Sequence, residues 1–307
     1  MNIELNFATR PSALARWQTQ YVISQLKSQW PDLACEKVVI TTKGDRVLDQ
    51  PLPQIGGKGL FTYELEQALL ADRVDAAVHS LKDLPTDDAP GLTVGVIPQR
   101  TDVRDVWVCP QGHGLDELPL GSIVGTSSTR RAAQLLAYRS DLKVKSIRGN
   151  VGTRMQKAVE GKYDAIILAA AGIIRLGLEE HITEYLPFEI MLPAPGQGAL
   201  GIQCRADDAD TPSLLKTIDH APTRLAVSAE RAFLAALGGG CSLPVGALAS
   251  IDGDAIQLQG VVAAQDGSHV LRVSLSGDNP QRLGEQLAQQ SLAEGAEDLI
   301  TNTMVVK

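Results

Sequence analysis

The feature that most constrains the fold of this chain is a regular alternation of strand-like and helix-like segments in its middle third. Short apolar runs with strand character occupy residues 106–109, 123–125, 144–147 and 165–169. Helical patterns fill residues 128–138 and 151–160, and a helical turn runs on to Arg175. Alternation of this kind predicts a mostly parallel sheet that is covered by helices on both faces.

The segments before and after this stretch indicate two further units. Before it, the patterns predict strands at 2–8, 37–42, 76–80 and 92–97, helices at 11–29 and 60–71, and a long loop at 43–59. After it, they predict a helix over 222–237, three antiparallel strands at 247–250, 255–264 and 269–276, and one final helix over 280–300. We therefore predict a first α/β lobe of residues 1–98 and 199–219, a second α/β lobe of residues 99–198, and a small C-terminal α+β domain of residues 220–307.

Charge and cysteine usage argue against several classes of protein. The chain carries 28 Lys and Arg against 36 Asp and Glu, whereas a general nucleic-acid binder has a basic balance. The cysteines form no CxxC pair and the histidines no HxxxH spacing, so we predict no metal site and no disulfide framework. No apolar run approaches the roughly 20 residues of a membrane span, and no signal peptide pattern is visible. We expect a cytoplasmic monomer without membrane or nucleic-acid partners.

Arginines recur where a predicted strand ends and the next element begins. Six residues share this placement: Arg10, Arg130, Arg131, Arg148, Arg154 and Arg175. Ligands of open α/β sheets bind at the carboxyl ends of the strands. An arginine in the first turn of a helix is disfavoured by the helix dipole, unless an anion lies nearby that guanidinium groups can bind. The pattern favours a cleft for a polyanion, and the alternative of surface arginines paired with acids stays open.

Two further residues are candidates for chemistry. Asp83 follows a buried strand and stands beside Lys82, so it can stay ionised and stabilise a cation. Its alternative role is to cap the turn before Pro85. Cys241 follows three glycines on a loop, where a thiolate would be an accessible nucleophile. Its alternative role is that of a small buried residue, which is the role we expect for the other three cysteines, Cys35, Cys109 and Cys204.

Eight stretches together resemble the porphobilinogen deaminase (hydroxymethylbilane synthase) family. They occur in the order of that family and span nearly the whole chain: ATRPSALARWQ (8–18), GGKGLFTYELE (56–66), AVHSLKDLPT (77–86), GTSSTRRAAQL (125–135), RGNVGTR (148–154), DAIILAAAGIIRLGL (164–178), LPAPGQGALGIQCR (192–205) and GGGCSLPVGA (238–247). Any one of these motifs is weak, but eight in register make the resemblance specific. One departure is Gln54, where many members of the family carry a lysine.

The resemblance implies a transferase that condenses four porphobilinogen molecules, with release of ammonia, into the linear tetrapyrrole 1-hydroxymethylbilane for haem biosynthesis. It implies a dipyrromethane cofactor, held by a thioether to Cys241, and Asp83 as the catalytic residue. The matching cofactor-binding residues are Lys82, Arg130, Arg131, Ser128, Thr126 and Ser80. The matching substrate-binding residues are Arg10, Ser12, Lys58, Arg148, Asn150, Arg154 and Arg175. The implied fold has two lobes that resemble type II periplasmic binding proteins and a small third domain.

Two other functions stay open on the sequence alone. A non-catalytic anion-binding protein would explain the two lobes and the arginines but would not require Cys241 or Asp83. A cysteine-dependent acyl or amide transferase would use Cys241 as a nucleophile and would need a histidine close to it. A stable adduct of two pyrrole units on the purified protein would distinguish the deaminase from both.

Overall fold

A computed structural model describes residues 4–46, 59–239 and 243–305 of the chain. The chain divides into two compact units, Met1–Thr101 with Ala199–Arg224, and Asp102–Gly198 with Leu225–Lys307. The strands of these described residues form three separate sheets, two of five strands and one of three. None of the helices in the described ranges combines the length and the apolar character that a bilayer crossing requires.

The first sheet is built from β1 (Glu4–Thr9), β2 (Ala34–Val39), β3 (Ala76–Ser80), β4 (Leu92–Val96) and β10 (Leu200–Arg205). Its strand order is β2-β1-β3-β10-β4. Strand β1 runs parallel to β2 and β3, and β10 runs antiparallel to β3 and β4. Because side chains alternate along a strand, Phe7 packs on one face with Val22 and Leu26, and Ala8 packs on the other with Leu65.

The helices of this unit are α1 (Ala13–Gln29), α2 (Lys43–Arg46), α3 (Tyr63–Leu70) and α7 (Asp210–Leu215). The Ser12 side chain caps α1 by accepting a hydrogen bond from the Ala15 N–H group. Val22, Ile23 and Leu26 of this helix lie in the core, whereas Trp17 is exposed. Helix α1 therefore covers one face of the sheet and fixes the chain that follows Arg10.

The second sheet is built from β5 (Asp105–Val108), β6 (Ile123–Gly125), β7 (Lys143–Lys145), β8 (Ala165–Ala169) and β9 (Glu184–Tyr185). Its order is β7-β6-β8-β5-β9, with β6 parallel to β7 and β8 and with β5 antiparallel to β8 and β9. Helices α4 (Thr129–Tyr138), α5 (Val151–Val159) and α6 (Ala170–Ile174) follow its parallel strands. Trp107 and Leu135 pack on one face, and Ile166 and Met155 on the other.

The third sheet is an antiparallel meander of β11 (Val245–Asp252), β12 (Ala255–Ala263) and β13 (Val270–Gly277). It is joined by α8 (Ala221–Ala236), α9 (Pro280–Ala293) and α10 (Ala296–Val305). Phe233, Leu258 and Leu287 lie in their common core. The predicted fold class, two α/β lobes with a small C-terminal α+β domain, is confirmed. The boundaries of the three domains stay a prediction.

Several details of the sequence prediction were wrong. The lobes are not mostly parallel, because β10 and β5 run antiparallel to both of their neighbours. The predicted strand at 37–42 begins and ends three residues earlier, at Ala34–Val39. The single final helix is two helices, because Gly295 adopts a φ of +100° and ends the first of them. The predicted loop at 43–59 begins as helix α2, and its residues 47–58 lie outside the described part.

Candidate active site

The turn after strand β3 presents Asp83 to solvent on a fixed backbone. Residues Leu81–Asp83 form one 3-10 turn, in which Leu81 is buried and Asp83 is exposed. The Leu81 N–H donates to the Ala199 carbonyl at 3.1 Å, and the Leu84 N–H donates to the Leu81 carbonyl at 3.1 Å. Leu84 is also buried. The two buried leucines anchor the turn in the core. The Lys82–Asp83 pair follows directly after β3 and therefore lies at its carboxyl end.

Arg10 lies at the same edge of the first sheet, because β1 and β3 are parallel. Its guanidinium group forms two hydrogen bonds with Asp45, the one from Nε at 3.2 Å, and lies 4.2 Å from the ring centroid of Phe61. Burial alone would raise the pKa of Asp45, but hydrogen bonds from Arg10 and Thr42, together with the Arg10 charge, lower it below its usual range. Arg10, which the sequence predicted to bind an anion, is thus already paired with Asp45. This agrees with the alternative prediction that such arginines pair with acidic residues of the protein.

The predicted serines of this unit have local partners. Ser12 Oγ accepts from the Ala15 N–H at 3.2 Å, and Ser80 Oγ accepts from Gln18 Nε2 at 2.8 Å. Each hydroxyl could still donate a hydrogen bond to a bound carboxylate, because these two hydrogen bonds use only lone pairs of the oxygen atoms. Their first role in the described structure is to fix α1 and the end of β3.

The centre of the second unit's site is a buried pair of arginines on a single aspartate. Arg130, Arg131 and Asp105 are 4%, 6% and 0% exposed. Asp105 Oδ1 accepts from Arg131 Nε at 3.1 Å and from Arg131 Nη2 at 2.7 Å. Asp105 Oδ2 lies 2.7 Å from Arg130 Nη1, but without the alignment of a hydrogen bond. Two guanidinium charges therefore face one carboxylate inside the protein.

This charge imbalance changes the acidity of the groups. Burial alone would raise the pKa of Asp105, but the charges of Arg130 and Arg131, together with the hydrogen bonds from Arg131, bring it far below its usual range. The pKa of Arg130 is lowered, chiefly by burial and then by the charge of Arg131, against the attraction of Asp105. The aspartate is therefore ionised at neutral pH, so Asp105, Arg130 and Arg131 together carry one net positive charge.

The predicted polar contacts of this unit include two helix N-caps. Ser128 Oγ accepts from the Arg131 N–H at 3.4 Å, and Asn150 Oδ1 accepts from the Thr153 N–H at 2.9 Å. The buried hydroxyl of Thr126 accepts from the Ser128 N–H at 3.2 Å. These residues follow β6 and β7, whose carboxyl ends lie at one edge of the sheet. The sequence predicted their place correctly, and their capping role accounts for the residue types.

The remaining arginines differ in their burial. Arg175 is 8% exposed, and its Nη2 donates to the Gly198 carbonyl at 2.7 Å. Arg154 is half-buried, and its Nε donates to the Gly149 carbonyl at 2.7 Å. Arg148 is half-buried too and lies three residues beyond the end of β7 rather than at it, which corrects the sequence prediction. Between Arg148 and Asn150, Gly149 has a φ of +115°, a conformation that other residues rarely adopt.

Two family models match the chain. The one described as "Porphobilinogen deaminase, dipyromethane cofactor binding domain" matches residues 5–213, and the one described as "Porphobilinogen deaminase, C-terminal domain" matches residues 224–293. The chain belongs to the porphobilinogen deaminase family. The resemblance that the eight motifs indicated is thereby confirmed, and so is the presence of a domain that binds the dipyrromethane cofactor.

Curated relatives agree with this assignment over nearly the full length. The chain is 52% identical to the porphobilinogen deaminase of Brevibacillus brevis, covering 96% of both chains. It is 48% identical to the porphobilinogen deaminase of Pelotomaculum thermopropionicum, covering 98% of this chain and 97% of the relative. Among solved structures it is similar to the methionine binding protein MetQ, with 12% identity, a TM-score of 0.46, and coverage of 72% of this chain and 92% of that one. A likeness this distant carries no functional conclusion.

Two of the residues expected for the deaminase lie outside the described part. They are Cys241, the expected cofactor anchor, and Lys58, the expected substrate contact, and the same holds for Gln54. The expected set is otherwise placed, with Arg10, Ser12, Ser80, Lys82 and Asp83 in the first unit and the remaining residues in the second.

Two buried polar groups were not predicted from the sequence. Asp105 begins the strand DVWV, and its partners are 25 and 26 residues further along the chain. The sequence feature that could have indicated this role is a charged residue placed directly before the apolar run Val106–Val108. The second group is His79, buried in β3, whose pKa falls to about 4, chiefly through burial, with the charge of Arg10 lowering it further. His79 is therefore neutral at physiological pH.

Proposed function

We propose that this chain condenses four porphobilinogen molecules into 1-hydroxymethylbilane and releases one ammonia for each ring joined. The proposal rests on membership of the porphobilinogen deaminase family. The observation that carries it within the structure is the buried arginine pair, which holds one more positive charge than Asp105 neutralises. Each porphobilinogen ring bears an acetate and a propionate group, so a protein that handles it must offer fixed cations.

The residues around this pair fit a cofactor with carboxylate groups. A net charge in a protein interior is costly unless a counterion approaches it. A carboxylate of the dipyrromethane would supply that counterion, with Arg130 and Arg131 as its partners. Thr126 and Ser128 of the same unit, and Lys82 and Ser80 of the first unit, complete the proposed set of cofactor-binding residues. When bound, the dipyrromethane supplies the pyrrole carbon to which the first substrate ring is joined. We propose that it is anchored by a thioether to the Cys241 sulfur.

Asp83 is proposed as the catalytic residue. Loss of ammonia leaves a positive charge on the substrate ring, and a fixed carboxylate beside the ring stabilises that charge. The same carboxylate can accept and return a proton while the new carbon–carbon bond forms. Its exposed position on a turn held by Leu81 and Leu84 supports this role, because the carboxylate is accessible and the backbone that carries it is fixed.

Substrate binding is assigned to the remaining polar residues of the two units. They are Arg10, Ser12, Lys58, Arg148, Asn150, Arg154 and Arg175. The half-buried side chains of Arg148 and Arg154 follow the carboxyl end of β7, where the sheet of an α/β lobe offers its ligand site. The division into three domains, a cytoplasmic location and a monomeric state belong to the same proposal, and the three separate sheets support the first of these.

The direct test is to measure the intact mass of the purified protein and then its reaction with porphobilinogen. The proposal expects a mass excess equal to two pyrrole units, and one ammonia released per substrate consumed. A protein that carries no adduct and binds porphobilinogen without releasing ammonia would instead be an anion-binding protein, and the proposal would be wrong.

We expect leucine at Arg148 or Arg154 to weaken the use of substrate while the cofactor stays attached. Each change removes one charge-assisted contact, which is worth roughly 1.5–3 kcal/mol, so kcat/KM should fall by roughly 10- to 150-fold. Arg282→Leu, at an exposed arginine of α9, is the matched control and should leave kcat/KM unchanged. Steady-state kinetics with intact-mass measurement of cofactor content provide the check. Full activity in both variants would remove these arginines from the site.

A further inference from the structure

Asp105 has an unusual set of contacts for a residue outside the expected site. Oδ1 accepts three N–H groups, two from Arg131 and one from Gln197 Nε2 at 2.9 Å. Oδ2 is buried, has Arg130 Nη1 at 2.7 Å, and receives no aligned hydrogen bond in the described part of the protein. Oδ1 thus accepts hydrogen bonds, whereas Oδ2 is held only by its electrostatic attraction to Arg130.

The backbone around Asp105 is equally fixed. Asp105 pairs with Ala169 in the β5–β8 ladder, and its carbonyl accepts from the Leu186 N–H at 3.0 Å. Val106 and Trp107, the next two residues, are fully buried. The strand therefore gives the Asp105 carboxylate a fixed backbone from which to contact the two arginines.

Each arginine also donates a hydrogen bond to a backbone carbonyl, which helps to fix its orientation. Arg131 Nη1 donates to the Ile167 carbonyl at 3.1 Å, so its guanidinium group is held on two sides. Arg130 Nη1 donates to the Leu192 carbonyl at 2.6 Å. The segment that supplies this carbonyl also supplies Gln197, whose Nε2 reaches Asp105 and the Val103 carbonyl.

We propose that Asp105 is the positioning residue for Arg130 and Arg131. It fixes both guanidinium groups and neutralises one of their two charges, so that the pair binds one carboxylate group of the cofactor rather than two. This inference rests on the proposed function, since it concerns how the arginines meet the dipyrromethane. It adds to that function a residue that positions the arginines and the number of carboxylate groups that they bind. Asp105 itself contacts arginine and glutamine side chains rather than the ligand.

The test replaces Asp105 by alanine and restores the carboxylate from solution. In Asp105→Ala we expect the fraction of protein that carries the two-pyrrole adduct to fall roughly tenfold or more, since charge-assisted contacts that orient the arginines are lost. Formate added during expression and assay should restore the adduct, because it is small enough to stand in for the missing carboxylate. Formamide, which has nearly the same shape but no charge, should not restore it.

The matched control is Asp102→Ala. Asp102 lies three residues away and pairs with a different arginine, Arg104, through Nη2 at 2.6 Å, and it is partly exposed. We expect this variant to keep its adduct and to show no response to formate. Melting temperature is the second measurement, and formate should raise it in Asp105→Ala but not in the parent or in Asp102→Ala.

Each result decides for or against the inference. A fully loaded Asp105→Ala protein overturns it, and so does a formate effect on melting temperature without recovery of the adduct, which would give Asp105 a purely structural role. If the alanine variant is insoluble, Asp105→Asn decides. We expect it to lose adduct with no rescue by formate, since the amide fills the space, and normal loading would overturn the inference. A parent protein without any adduct would instead refute the proposed function. The effect of formate on the melting temperature of Asp105→Ala would then test only whether Asp105 orients the two arginines.

Discussion

Asparagine at position 83 is expected to lower turnover by roughly 10²- to 10³-fold and to leave the dipyrromethane in place. The change keeps the size and hydrogen-bonding capacity of the side chain but removes the negative charge, and a loss of this size is what removal of one preorganised electrostatic group causes. Asp83 is exposed on a turn whose backbone is held by the buried Leu81 and Leu84, so the substitution should not disturb folding.

The measurement is single-turnover formation of enzyme–substrate adducts by mass spectrometry, with cofactor content read from the same spectrum. Asp87→Asn is the matched control, because Asp87 is an exposed aspartate four residues further along the chain, and it should elongate normally. Asp83→Glu should keep part of the activity, since the charge persists but moves by about one methylene. Normal elongation by Asp83→Asn with its cofactor bound would return Asp83 to the role of a turn residue before Pro85.

Serine at position 241 is expected to give a folded protein without adduct and without activity. A serine hydroxyl is a far weaker nucleophile than a thiolate, so attachment of the dipyrromethane should fail and no ring should be added. Cys35 and Cys204 offer poor substitutes, because burial raises the pKa of their thiols.

Intact mass and circular dichroism check this second prediction together. Cys35→Ser is the control, since it removes a half-buried thiol of the first unit and should leave both adduct and activity unchanged. A Cys241→Ser protein with the full two-pyrrole mass excess would show that the anchor lies elsewhere. A Cys241→Ser protein that is unfolded would show that Cys241 has a structural role instead.

Local patterns predicted most elements of the fold. The pattern over 11–29 predicted helix α1, which begins at Ala13, so that Pro11 lies before its N-cap, and the run AAVHS gave strand β3 with its observed limits. Features that depend on distant parts of the chain were missed. Strand β10 runs between β3 and β4, and the antiparallel direction that results cannot be inferred from LGIQCR itself. Gly295 was overlooked because the apolar pattern continues on both sides of it.

The site shows the same division between local and distant information. The sequence located Arg130, Arg131, Ser128 and Asn150 correctly at the starts of helices, because strand ends and caps have local signatures. It could not show that Asp45 pairs with Arg10, 35 residues away, or that Asp105 pairs with the two arginines of α4. Pairing across elements is fixed by tertiary packing, which has no signature in a single sequence.

The place of β10 in the first sheet governs the order in which the chain can fold during synthesis. Strand β4 ends at Val96, but the strand that separates it from β3 begins only at Leu200. Every strand of the second sheet lies between Asp105 and Tyr185, so that sheet has all its strands before the first one does. Until β10 emerges, β3 and β4 have unpaired edges of the kind that promote misassembly. The lobe that the ribosome begins first can therefore be completed only after the second lobe.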